Sequence, residues 1–419
     1  MKNIATNIYD WRPTTPFYYG WLILGTAAIG ALIAGSVAQT VFGGIQDLIG
    51  QETGWNRKTV ALAATLGTWT SGLTMPFIGR LVDRFGPRWI MLIAANMVGI
   101  GYIYLSNSNT LFEFFFAYIV IRAVAGPNLQ NVVPRAVAVN FFSRRRNFAI
   151  GITTLNRVIS ESINIQAITL LATSYSWRIA YRILGIAAIP LSIPIFLLIR
   201  HKPEDIGLLP DGEKQSSTES KAIPQTTSLS VKKIISLKSF WLILIGEFVA
   251  VTATSMIIFQ IVPYLVDAGM TQTVAAVALT IGNALGGLSV PGWGYLTDRY
   301  TTKRLAVVIL TSAITMTLLL LFAPEGNIQF IVVIAWGIVT AVIFVLGTMM
   351  LGTVFERTSF GTVVGITGPS RTAAMGLGPY VGALAASWYG DYTLIFITAT
   401  IGYSLAIALY SSVQPRNTF

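Results

Sequence analysis

The chain has 419 residues, 54% of them hydrophobic and only 11% charged, with a mean hydropathy of +0.67. Soluble domains carry about 25% charged residues, so this composition excludes a soluble globular protein and points to a polytopic membrane protein. The net charge of +11 does not call for a nucleic-acid partner, because the basic residues gather in alternate loops, as cytoplasmic loops of membrane proteins do.

Read in order, residues 1–17 form a polar N-terminal segment without the features of a cleavable signal peptide. Twelve apolar spans follow, over 18–40, 57–79, 88–106, 111–140, 147–173, 178–199, 238–266, 272–295, 303–323, 328–350, 360–388 and 391–412. The expected fold class is an all-α polytopic membrane protein, its twelve transmembrane helices forming two six-helix bundles (18–199 and 238–412). A Ser-, Thr- and Lys-rich stretch at 200–237 reads as a flexible cytoplasmic linker, and 413–419 as a cytoplasmic tail. Arg84, Arg88, Arg144 to Arg146, the linker and Arg299 to Arg304 fall on one side. Arg57, Lys58, Arg178 and Arg182 fall on the other, which places both termini in the cytoplasm and the chain in the inner (cytoplasmic) membrane. Cysteine is absent, which excludes disulfides and thiolate chemistry.

The two halves repeat each other. Pro76, Gly79, Asp83 and Arg84 recur as Pro291, Gly294, Asp298 and Arg299 at an offset of 215 residues. Gly151-Ile152-Thr153 and Arg157 recur as Gly365-Ile366-Thr367 and Arg371 at an offset of 214. Two matches at nearly one offset indicate a duplicated six-helix unit, a known transporter design with its site near the midplane.

The loop motif Gly79-x-x-x-Asp83-Arg84-x-Gly86-x-Arg88 combines tight-turn glycines with a carboxylate suited to a neighbouring helix N-terminus. With its echo at Gly294, Asp298 and Arg299, it resembles the major facilitator superfamily, whose loop motif acts as a cytoplasmic latch. Phe17-Tyr18-Tyr19-Gly20-Trp21, Gly54-Trp55-Asn56-Arg57, the post-sixth-span stretch at 202–212 and Val262-Pro263-Tyr264-Leu265 narrow the resemblance. Together they are similar to the bacterial monocarboxylate-transporter-like and oxalate/formate-antiporter-like branch, which mostly moves small organic anions with a proton or in exchange. One departure stands out: Val290 occupies the place, shortly before Gly294, where many members of that branch carry a carboxylate-binding arginine.

Charge deep in hydrocarbon is costly and marks function. Arg157, Ser160, Glu161 and Asn164 lie at i, i+3, i+4 and i+7 of span five, hence on one face, with Asn156 at its border. Arg157 offers a planar fork of donors suited to a carboxylate, and Glu161 is positioned to pair with it. Arg371 has no acidic residue within reach on its own helix, so it needs a partner from another helix or an anionic ligand. The two arginines are expected to face a substrate cavity, with Asn156, Ser160, Asn164, Gln260 and Asn283 as further polar lining. The competing reading is a structural Arg157–Glu161 pair that only rigidifies the bundle. Glu247, read as an isolated carboxyl within span seven, is a candidate proton carrier alongside Glu161. Arg122, followed by Gly126, resembles the superfamily's fourth-helix arginine motif and is a third coupling candidate. Asn128, Asn131 and Arg135 fall on another face, with Arg135 expected to snorkel toward the cytoplasmic surface. His201, the single histidine, is expected at the surface beyond span six.

No catalytic constellation, nucleotide-binding loop or metal-ligand pattern is present in the sequence, so neither enzyme activity nor a cofactor is expected. The expected function is secondary active transport of a small, carboxylate-like organic anion by alternating access, proton-coupled or by exchange, in a monomer surrounded by lipid. The alternatives are efflux of a drug or hydrophobic metabolite and a non-transporting membrane sensor. Exporters often carry G-x-x-x-G-P in the fifth helix, where this chain reads N-R-V-I-S-E-S; the short linker argues against the sensor.

Overall fold

The computed structural model describes residues 13, 15–55, 57–212, 230–322, 326–389 and 392–414. Most of the polar N-terminal segment, the linker from 213 to 229, Asn56 and the last five residues lie outside the described residues. Those described are helical throughout the apolar spans, with no strand among them.

The first half contains α1 (Tyr19–Gly35), α2 (Gln39–Thr53), α3 (Arg57–Phe85), α4 (Pro87–Ser106), α5 (Leu111–Ala125), a π-helical turn (Gly126–Asn131), α6 (Val132–Phe141), α7 (Arg146–Ser174) and α8 (Trp177–Leu198). After the short α9 (Val231–Ser236) come α10 (Lys238–Asp267), α11 (Gln272–Arg299), α12 (Thr302–Phe322), α13 (Asn327–Thr340), α14 (Ile343–Val354), α15 (Phe360–Tyr389) and α16 (Thr393–Ser411). The expected first span is therefore two helices, α1 and α2, reaching to Thr53 rather than to 40. The fourth and tenth are each broken near the middle, at 126–131 and 341–342.

Broken helices persist in hydrocarbon only where other groups satisfy the freed backbone. The α1–α2 break does this with three buried tyrosines from three helices. Tyr102 of α4 donates to the Ile33 carbonyl at 2.8 Å, Tyr118 of α5 to Val37 at 3.0 Å and Tyr181 of α8 to Ser36 at 3.2 Å. Pro127 lacks the N–H that would have bonded the Ala123 carbonyl, and Thr74 of α3 donates to that oxygen instead, at 3.0 Å. Asn131 closes the π turn by donating to the Gly126 carbonyl.

Among the described residues, seven stretches are long and apolar enough to cross a membrane: α4, α5 through α6, α8, α10, α12, α13 through α14, and α16. The remaining long helices, α3, α7, α11 and α15, have 28 to 30 residues and fall short in apolar character, not in length. They are the second, fifth, eighth and eleventh spans, and two of them carry Arg157 and Arg371.

The described chain forms two compact units. One is built from Met1–Arg144, Asn156–Ser228 and Arg357–Gly368, the other from Arg145–Leu155, Leu229–Glu356 and Pro369–Phe419. In the first, α4 packs along α8 and α3 along α5; in the second, the corresponding pairs are α12 with α16 and α11 with α13. The duplication read from the sequence is thus also a duplication of helix pairing.

Candidate functional site

The strongest polar constellation lies inside the second unit. Arg371, on α15 and 8% exposed, donates from Nε to Glu247 Oε1 at 2.7 Å and from Nη2 to the Thr348 hydroxyl at 3.0 Å. Glu247 belongs to α10, 2% exposed, and Thr348 to α14, fully buried. Glu247 is therefore not the isolated carboxyl that the sequence suggests; its partner lies 124 residues away. Its second oxygen, Oε2, is buried without a hydrogen-bond partner. Gly347 makes room for it: a Cβ there would lie 2.4 Å from Glu247 Cδ. A carboxylate and a guanidinium at such depth are tolerable only as a pair, since removing either leaves an uncompensated buried charge.

The matching stripe on α7 divides by depth. Arg157 and Glu161 are partly exposed, with Nε and Oε1 3.9 Å apart, a loose i,i+4 pair. Ser160 and Asn164 are buried. Asn164 donates to the Leu32 and Ser160 carbonyls and accepts from the Ser36 hydroxyl, so its amide is saturated within the packing against α1. Asn156 likewise donates to the Leu24 carbonyl of α1. These two asparagines, expected to line a cavity, serve as struts to α1. Gln260 is half-buried on α10, packed beside Gly382, and Asn283 is exposed on α11. Neither belongs to the Arg371 cluster.

Arg122 sits beside Gly67 and Tyr118 and donates from Nη1 to Gln130 Oε1 at 3.1 Å, across the π turn. Arg122 Nε and Gln130 Nε2 are buried without partners. Arg135, expected to snorkel, is instead 5% exposed within α6. Asn128 donates back to the Val124 carbonyl. The π turn shifts the helical register between Arg122 and the residues beyond it.

The loop motif forms the same contact twice. Asp83 accepts from the Gly361 and Thr362 amides at 3.1 and 2.7 Å, at the start of α15. Asp298 accepts from the Asn147 and Phe148 amides at 2.9 and 2.8 Å, at the start of α7. Gly79 and Gly294 allow these approaches, since a Cβ on either would fall within 2.5 Å of the Gly361 or Asn147 carbonyl oxygen. Asp83 lies on the extension of α3 beyond its apolar span; burial pushes its carboxyl up to about 6, against the lowering effect of hydrogen bonds from Thr362 and Gly361. Gly86 turns the chain with φ 77°, Arg84 lies over Phe85, and Arg299 is exposed. Arg88 is buried, donating to the Phe196 carbonyl at 2.6 Å with its guanidinium over the Phe196 ring.

Beyond the sixth span, the stretch at 202–212 serves as a strap. Glu204 pairs with Arg357 at 3.3 Å, and Arg357 also donates to the Asn140 carbonyl. Asp211 accepts from the amides of Ser143 and Arg144. His201, expected at the surface, is half-buried against Gly86, and burial holds its imidazole below the usual histidine range. Sequence reading missed Thr348, Gly347, Glu204, Asp211 and Arg357 as working residues. The Pro and Gly spacing around Glu204 and Asp211 was the available signal for the strap; nothing local flags Thr348.

The family model of the Major Facilitator Superfamily matches residues 27–367 and 243–418. The chain belongs to the major facilitator superfamily. Among relatives within it, the oxalate:formate antiporter of Oxalobacter formigenes is 22% identical over 369 residues, covering 87% of this chain and 84% of that one. The multidrug resistance protein MdtG of Escherichia coli (strain SMS-3-5 / SECEC) is 24% identical over 362 residues, 83% of this chain and 82% of its own. Among solved structures, the E. coli fucose:proton symporter FucP superposes with a TM-score of 0.73 at 12% identity, covering 95% of this chain and 99% of that one. The proton:xylose symporter XylE gives 0.69 at 12% identity, with 95% and 96% covered. These likenesses show the major facilitator fold: twelve transmembrane helices in two pseudo-symmetric bundles.

Proposed function

We propose that this superfamily member is a secondary active transporter of a small organic anion bearing a carboxylate, working by alternating access. It is not an enzyme, and it sits in the cytoplasmic membrane with both termini cytoplasmic, acting as a monomer. The observation that carries the reading is Arg371, a buried guanidinium whose planar fork already holds one carboxylate, that of Glu247. A fork that seats an internal carboxylate is chemically fit to seat an incoming one. The oxalate:formate antiporter among the relatives supports the same substrate class.

Coupling follows from charge balance. The pair Arg371–Glu247 is neutral as a unit. When a monocarboxylate takes the guanidinium, the site stays neutral only if Glu247 accepts a proton, and Oε2 is the oxygen with no competing partner. One proton then travels with each monovalent anion. Arg157 and Glu161 are the looser version of this arrangement in the first half, and Ser160, Gln260, Asn283 and Arg122 are the further candidates for substrate or coupling contact.

The test is uptake of a carboxylate panel (formate, oxalate, lactate, pyruvate) into proteoliposomes. The parent protein transports at least one, and Arg371→Gln reduces it to the level of empty vesicles. Parental rates in both Arg157→Gln and Arg371→Gln would end the reading. The MdtG relatives favour a second reading, drug efflux. Susceptibility profiling of a deletion strain separates the two: broad sensitisation to hydrophobic drugs with no anion flux supports efflux.

A further inference from the structure

The two halves differ sharply at one equivalent place. In the first unit, at the start of α4 and the end of α8, the Trp89 and Phe196 rings pack with centroids 5.1 Å apart. Arg88 lies over Phe196 at 4.3 Å and is tied to its carbonyl. The two rings stand at this corner, and Arg88 is engaged there.

The 215-residue offset that relates Pro76 to Pro291 carries Arg88 to Lys303, Trp89 to Arg304 and Phe196 to Ser411. In the second unit the ring pair is thus replaced by a cation and a small hydroxyl. The result is a pocket of about 350 Å³ lined by Thr301, Lys303, Arg304, Val307, Ser411 and Val413. Lys303 donates to the Val413 carbonyl, a neutral acceptor, at 3.3 Å. Arg304 is exposed and makes no ion pair among the described residues. Two hydroxyls, two cations and two valines therefore share one recess.

The place of the recess in the helix matters. The apolar run of α12 begins at Leu305, immediately after the two cations. Lys303 and Arg304 thus lie at the boundary between hydrocarbon and headgroups, on the end of the chain rich in basic loops. The first amides of α12 at the same level add a weak positive end. Basic pockets between transmembrane helices at that depth fit anionic lipid headgroups.

We infer that this recess binds the phosphodiester headgroup of an anionic phospholipid. Lys303 and Arg304 take the phosphate, Thr301 and Ser411 donate to its oxygens, and Val307 and Val413 face the glycerol and upper acyl chain. In the first half the Trp89 and Phe196 rings stand at the equivalent corner, so the lipid is assigned to the second half.

The experiment uses the full chain purified in phosphatidylcholine micelles and titrated with phosphatidylglycerol. Retained lipid is read by native mass spectrometry, and monodisperse elution checks folding. The parent retains phosphatidylglycerol in preference to phosphatidylcholine, and raising the salt weakens the preference. Each removed cation reduces it about five-fold, so Lys303→Gln/Arg304→Gln together reduce it roughly 25-fold. A second variant, Arg304→Trp/Ser411→Phe, rebuilds the ring pair of the first half and also abolishes the preference, with Lys303 intact. No preference in the parent, or an undiminished one in both variants, overturns the inference. Inorganic phosphate is titrated in parallel; if it binds in place of phosphatidylglycerol, the recess serves a soluble phosphate and the lipid assignment falls.

Discussion

Removing one member of the Arg371–Glu247 pair should harm the protein far more than removing both. The two groups are 8% and 2% exposed and meet at 2.7 Å. At an effective dielectric of about 20, opposite charges about 4 Å apart attract by about 4 kcal/mol. Breaking a buried pair from one side typically costs about 3–5 kcal/mol, because the survivor is left charged and desolvated. Arg371→Gln and Glu247→Gln are each expected to destabilise by about 3 kcal/mol or more. The double variant leaves two neutral amides and loses little beyond the hydrogen bonds, about 1–2 kcal/mol. The coupling energy from the cycle is then several kcal/mol and of compensating sign. Chemical unfolding of the four proteins in one detergent, followed by tryptophan fluorescence, measures it. If the double variant is as unstable as the sum of the singles, the two groups do not compensate each other, and the charge-balance argument for coupling fails with them.

Other consequences follow from the same packing. Gly347→Ala places a Cβ 2.4 Å from Glu247 Cδ, and such overpacking costs about 1–3 kcal/mol. The penalty should vanish in a Glu247→Ala background, and a penalty that persists would mean Gly347 serves the helix rather than the carboxylate. Thr74→Val orphans the Ala123 carbonyl that Pro127 leaves open, for about 1–3 kcal/mol in a thermal melt. Thr70→Val, which removes only a bond within its own helix, is the milder control. His201 is held below its usual range by burial. The unfolded imidazole therefore binds protons more tightly, and stability is full above about pH 6.5 and is lost as the pH falls through that value. Limited proteolysis of the strap at 202–212 should quicken on acidification, and His201→Phe should flatten that response.

The family, the duplication and the turns of the loop motif were legible in the sequence because each rests on local signals: hydropathy over a span, glycines at turns, an aspartate at a fixed spacing. Asp83 and Asp298 cap the helix starts that such spacing anticipates. The partner of Arg371 was not legible. Glu247 sits 124 residues upstream with no periodic relation to it, and only the helix packing brings them together. Asn156 and Asn164 show a second kind of partner that was not legible. A polar stripe on one helix face looks like a cavity lining, yet here it bonds the α1 backbone. Amide groups serve either purpose, and periodicity alone does not distinguish them. The π turn at 126–131 had a visible cause in Pro127, but the bonds from Thr74 and Asn131 that satisfy its backbone come from packing and were not visible in the sequence. His201 was expected at the surface because nothing in the local sequence shows its packing against Gly86.

In the proposed cycle, Arg371 passes from Glu247 to the substrate carboxylate while Glu247 takes a proton. Proteoliposomes loaded with a transported carboxylate separate exchange from concentrative uptake. In Glu247→Gln, exchange across equal pH is expected to continue, while an inward-directed proton gradient no longer drives accumulation and no proton enters with the anion. Accumulation by Glu247→Gln at the parental level, with the parental proton uptake, would contradict it.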